Sequence, residues 1–88
     1  MDAQTAWRLH PQVSVRPESF GALLYHFGTR KLSFLKDRTL LSIVELLDSS
    51  PDVTAALDAA DVPDAERPRY LRALDTLAQS HMIEERAA

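Results

Sequence analysis

The chain of 88 residues is predicted to be α+β and winged-helix-like, with a three-stranded antiparallel sheet followed by three helices. Three observations predict this. Strand-like patterns, either alternating or apolar on both faces, are confined to residues 12–36. From residue 38 onward the apolar residues recur at helical spacing. Proline and aspartate then divide this second part into two short helices and a longer one, the order of a helix-turn-helix core.

Each element has a local reason. Val13 and Val15 alternate with Gln12, Ser14 and Arg16 between two prolines, which predicts a short half-buried strand over 12–16. After Gly21, the alternating sets Leu23, Tyr25, Phe27 and Ala22, Leu24, His26 make both faces largely apolar, the pattern of a central strand. Gly28, Thr29 and Arg30 supply a turn, and residues 31–36 return as a third strand, basic at both ends and placed at the sheet edge. Asp37 is a good N-cap for a helix over 38–48, with Leu40, Ile43, Val44 and Leu47 on one face. Ser49, Ser50, Pro51 and Asp52 end that helix and open a second, with serine available as cap, proline at the first helical position and Val53, Ala56, Leu57 and Ala60 on its inner face. Val62, Pro63 and Asp64 break it. Pro68 opens, or lies in the first turn of, a third helix running to about Ser80, whose apolar stripe is Tyr70, Leu71, Leu74, Leu77 and Ala78. Residues 82–85 are either a short extended piece or a frayed end.

At 9.9 kDa the chain is read as a single domain spanning 1–88, with 45% hydrophobic and 26% charged residues, an ordinary globular composition. It contains no cysteine, which removes disulfides, thiol nucleophiles and thiolate metal sites. The apolar stretches are too short to span a bilayer and no basic segment leads into an apolar one near the start, so a cytoplasmic protein without membrane contact is expected. The net charge of −3 conceals an asymmetry. Residues 1–44 carry six bases against three acids, whereas residues 45–88 carry four against ten. A local basic surface can steer an acidic ligand but is weak for gripping a nucleic-acid backbone, so no nucleic-acid partner is expected.

Catalysis has no support. His10, His26 and His81 match no zinc spacing, two glycines cannot build a phosphate loop, and no serine sits in a nucleophile elbow. Neither a metal nor a cofactor is expected. The stronger constellation is the edge segment Lys31, Leu32, Ser33, Phe34, Leu35 and Lys36, preceded by Arg30. An edge strand exposes amides and carbonyls at regular spacing, an extended peptide can pair with them, and flanking bases favour an acidic one. Lysines at an edge also serve simply to prevent aggregation, and periodicity alone does not choose. Arg67, Arg69 and Arg72 form a second basic group on the third helix, with Arg69 and Arg72 sharing one side, and this group could line the same groove. Trp7 either folds back onto the core or waits for a partner.

The segments Trp7-Arg8-Leu9-His10-Pro11-Gln12-Val13, Val15-Arg16-Pro17-Glu18, Phe20 to Gly28 and Arg30 to Lys36 resemble the peptide chaperones of mycofactocin biosynthesis, within the PqqD-like family of precursor-peptide recognition elements. The resemblance covers about Trp7 to Ile83 and is most specific in its first half. It implies a winged-helix-like fold whose third strand and third helix hold the leader of a ribosomally made precursor peptide. The leader adds as an antiparallel strand and is presented to a radical S-adenosylmethionine maturase. The iron–sulfur clusters and S-adenosylmethionine belong to that enzyme, which modifies the precursor's C-terminal valine and tyrosine. Carried onto this chain, the peptide backbone pairs with residues 31–36, and Arg69, Arg72, Ala73 and Thr76 form the groove side of the third helix. The sequence does not assign which amides of that strand face the peptide. Two further readings stay open: a winged-helix DNA-binding regulator, and a small homodimeric scaffold pairing through the free edge or the second face of the central strand.

Overall fold

The computed structural model describes residues 1–86. Its strands are β1 (Trp7–Leu9), β2 (Val13–Glu18), β3 (Gly21–His26), β4 (Leu32–Leu35) and β5 (Ile83–Glu85). The helices are α1 (Arg38–Leu47), α2 (Val53–Ala59) and α3 (Arg67–Gln79), the last preceded by one 3₁₀ turn over Asp64–Glu66. The expected α+β class holds, with an antiparallel sheet ordered β2-β3-β4 and three helices after it. Among the described residues no helix is long and apolar enough to cross a membrane.

β2 runs through Pro17 to Glu18 rather than stopping at residue 16. The Phe27 N–H donates to the Gln12 carbonyl at 2.9 Å, so Ser14, Arg16 and Glu18 are the β2 residues that bond to β3. Pro17, opposite Ala22, therefore faces the free edge, where a missing N–H costs no ladder bond. β3 is central as expected, but only its Ala22, Leu24 and His26 face is buried, because the helices cover one side of the sheet. Leu23 and Tyr25 stay half-buried on the open side.

Asp37 caps α1, its carboxylate accepting from Thr39 N at 2.7 Å and Leu40 N at 3.4 Å. α2 differs from expectation at its start. Asp52 is the cap, accepting from Ala55 N at 2.8 Å, so Pro51 lies outside the helix. Both α2 and α3 end in a left-handed residue, Asp61 (φ 57°) and His81 (φ 62°). In each case the next residue bonds back to a buried leucine carbonyl, Val62 to Leu57 at 3.1 Å and Met82 to Leu77 at 2.9 Å. This is the Schellman arrangement, and the paired apolar residues are buried with it. It turns the chain after α3 into β5.

Residues 83–85 are thus a strand and not a frayed end, paired with β1 in the register Trp7–Glu85, Arg8–Glu84, Leu9–Ile83. Trp7 folds back and packs, half-buried, against the core. The Arg8 Nε donates to Glu84 at 2.8 Å across the pair. The core joins Val13, Ala22, Leu24 and Leu35 of the sheet to Leu40, Ile43, Val44 and Leu47 of α1, with Val53, Ala56 and Leu57 of α2 and Tyr70, Leu74 and Leu77 of α3 closing it. Leu71 and Ala78 of the expected α3 stripe lie at its border.

His26 is buried, and its Nδ1 accepts from Gly28 N at 3.0 Å and Thr29 N at 3.1 Å, so the ring proton sits on Nε2. Burial, then the neighbouring His10 and His81, holds its pKa below the ordinary 6.5. As pH falls through 6.5 the unfolded chain takes up a proton that the native ring refuses, so stability is lost from there down to the native pKa. Asp37, held low by the Tyr70 hydrogen bond, adds a second loss below 3.8. The urea midpoint is therefore expected to drop between pH 7.5 and 5, and His26→Asn, which keeps an acceptor near Nδ1, to flatten that slope. An equal slope in the variant would assign the loss elsewhere.

Candidate functional site

The two edges of the sheet are unlike. On β2, alternation turns Val13, Val15 and Pro17 outward. The Val13 amide is taken by the His10 carbonyl at 2.9 Å and Pro17 has none, so β2 offers one outward N–H. On β4 the His26 N–H donates to the Lys31 carbonyl at 3.0 Å, which makes 26/31 a bonded pair. Leu24–Ser33 and Ala22–Leu35 are the next bonded pairs in the register. The N–H and C=O of Leu32 and Phe34 consequently point away from the sheet. No turn, cap or side chain takes them among the described residues. Four groups at regular spacing can hold an extended chain.

Beside this edge Lys36, Asp37, Leu40, Arg69, Tyr70 and Ala73 line an open cleft of about 270 Å³. Its frame is a hydrogen-bonded cluster that ties the end of β4 to α3. The Tyr70 hydroxyl donates to Asp37 Oδ2 at 2.7 Å, and Arg69 Nη2 donates to the Tyr70 oxygen at 2.8 Å. The Arg69 guanidinium also lies 4.7 Å from the centre of the Tyr70 ring. Burial, then the hydrogen bond to Asp37, raises the Tyr70 pKa, so the phenol keeps its proton and remains the donor.

Of the residues expected on the helix side, Arg69 and Ala73 line the cleft with Lys36 of the strand segment. Arg72 and Thr76 continue the same side of α3 but are exposed beyond the cleft. Lys31 and Lys36 flank β4 rather than belong to it, and both are exposed. Arg69 is half committed, 3.7 Å from Asp37 and 3.1 Å from Glu66, whereas Lys31, Lys36 and Arg72 have no carboxylate within 4.0 Å among the described residues. Tyr70 and Asp37 were legible only as a core residue and a cap. Their union needs the packing of α3 against the β4–α1 junction, 33 residues apart in sequence. A larger hollow of about 510 Å³, near Arg8, His10, Val15, Glu45 and Asp48, lies away from the edge strand. Among the described residues no three histidine, aspartate or glutamate side chains converge as a metal site would require.

The model of the Peptide chaperone MftB family matches residues 6–84. The chain belongs to this family. It is similar to proteins named Peptide chaperone MftB from Mycobacterium ulcerans, at 62% identity, and from Mycobacterium tuberculosis, at 58%, each over 93% of this chain and 75% of the relative. A third, from Mycolicibacterium smegmatis, is 58% identical over 93% of this chain and 80% of its own length. No solved structure matches the chain significantly. The family's role is that of a chaperone and not of an enzyme.

Proposed function

We propose that this MftB-family chain binds the leader of a ribosomally made precursor peptide as a strand added to β4, and presents it to a radical S-adenosylmethionine maturase in mycofactocin biosynthesis. One observation carries the reading: β4 offers two outward amides and two outward carbonyls, where the opposite edge β2 offers a single outward amide, and it lies next to a cleft lined by Lys36, Arg69, Tyr70 and Ala73. The chaperone's part is to fix the leader's direction and register. A short strand bounded by a turn and a helix cap leaves little room to slide. The maturase holds its own cofactors, and the chaperone contributes effective concentration of the substrate. A DNA-binding role fits less well, because Arg67 and Arg69 on α3 are engaged by Asp58, Asp64, Glu66 and Asp37.

Titration calorimetry with a synthetic cognate leader tests the reading. Saturable binding is expected, and no heat at tens of micromolar protein, roughly the range where weak peptide modules still register, overturns it. Reversing Lys31 and Lys36 to glutamate is expected to slow association several-fold at low salt while changing dissociation little, since exposed charges steer more than they hold. Stopped-flow measurements on the folded double variant check this. Unchanged association rates would remove the charges from recognition.

A further inference from the structure

We infer that the bound strand is gripped on both of its faces, and that the open face of the sheet around Leu32 and Phe34 selects apolar side chains two residues apart in the leader. The inference rests on the added-strand reading above and extends it to the peptide's own pattern. Along β4 the side chains alternate: Leu32 and Phe34 stand on the open face, 54% and 59% exposed, while Leu35 is buried and Ser33 half-buried on the helix side. The same two residues that expose apolar side chains also carry the outward amides. In antiparallel pairing, a residue that exchanges both bonds with Leu32 lies directly opposite it and shares its face, and so does its counterpart at Phe34. Two leader residues in an i, i+2 relation are therefore set beside these side chains. The residues between and beside them turn toward Ser33, Leu35 and the cleft with Lys36 and Arg69.

The open face is prepared for such contacts. Phe20, at the β2–β3 turn and 46% exposed, places its ring 6.4 Å from that of Phe34. Behind Leu32 the Tyr25 ring meets Phe27 edge to face at 5.0 Å, and Phe27 is itself 60% exposed. Exposed large apolar side chains on an edge strand invite unwanted pairing unless something covers them. The four most exposed leave on the order of 400 Å² of apolar surface, the size of the largest apolar patch on an ordinary monomer, which is often functional. That is about half of the roughly 800 Å² per partner in a stable protein–protein interface. Its size suits the outer side chains of one added strand better than a second copy of this chain. The leader segment so selected reads apolar, polar or acidic, apolar, the inner residues facing Lys36 and Arg69.

Leu32→Thr and Phe34→Thr keep strand propensity and the backbone amides while removing the apolar face. Fluorescence anisotropy with a labelled synthetic leader is expected to show each variant binding about tenfold more weakly, which is about 1.4 kcal/mol of binding free energy. A serine scan of the same leader is expected to find two sensitive positions separated by one. In a double-mutant cycle, serine at the position opposite Phe34 costs little further once Phe34→Thr is present. Full affinity in both threonine variants, or additive losses throughout the cycle, overturns the inference while leaving edge pairing intact. Failure of the unsubstituted protein to bind the leader overturns both. Concentration-dependent dimerisation that Phe34→Thr abolishes, with leader affinity unchanged, would assign the face to a second copy instead.

Discussion

Leu32→Pro and Phe34→Pro are each expected to fold and to bind the leader at least fivefold more weakly, whereas Ser33→Pro is expected to damage the fold itself. The register makes the difference. Leu32 and Phe34 lie at non-bonded positions opposite Tyr25 and Leu23, so proline there deletes an outward amide and no ladder bond. One lost hydrogen bond to the peptide costs about 1 kcal/mol or more. Ser33, opposite Leu24 in a bonded pair, holds the middle of a four-residue strand, and proline would leave a buried carbonyl unpaired at about 1–3 kcal/mol, besides its own strain. The chain already shows that an outward position tolerates proline, since Pro17 occupies the equivalent place on β2. Thermal melts and leader titrations of the three variants check the pattern. Undiminished binding by folded Leu32→Pro and Phe34→Pro proteins would contradict edge pairing. The threonine variants at the same positions separate the amide from the side chain.

Gly21→Ala is expected to lower the melting temperature by 15 °C or more, a loss of about 3 kcal/mol for a domain of this size. Gly21 has φ +150°, outside the range that L side chains adopt, and a Cβ built on it falls 2.0 Å from the Leu35 carbonyl oxygen and 3.0 Å from the Asp37 amide nitrogen. Both obstacles are backbone, at the junction where β4 ends and the α1 cap begins, so relief means moving the edge strand or the cap. Gly28→Ala is the contrasting variant. Its added Cβ meets the end of the Gln12 side chain at 2.4 Å, which can swing away, and His26 Cε1 at 2.9 Å. A smaller loss is expected there. Gly21→Ala melting within a few degrees of wild type would show that this close approach is not required.

The order of strands and helices was legible because each element carries its own local signal: the apolar run of β3, the three-and-four spacing of α1, and the cap at Asp37. What escaped depends on partners remote in sequence. β1 and β5 are three residues each and exist only as a pair joining the two ends of the described chain, with no pattern long enough to announce either. Pro17 reads as a strand terminator until the hydrogen-bond phase of β2 is known. Likewise, the two apolar faces of β3 signal a central strand, yet the sequence does not say that one face stays open. At the site, the edge segment and the helix bases were readable, whereas the Asp37–Tyr70–Arg69 cluster and the choice of outward amides follow from packing and register alone.

Residue-resolved amide hydrogen exchange, followed by NMR with and without the synthetic leader, tests the central claim most directly. In the free protein the amides of Leu32 and Phe34 are expected to exchange quickly, while Ser33 and Leu35 are protected by β3. Saturating leader is expected to slow Leu32 and Phe34 selectively, because those two N–H groups acquire the peptide's carbonyls. Bound leader with both amides still exchanging as in the free protein, and protection appearing only on other elements, would contradict a strand added to β4.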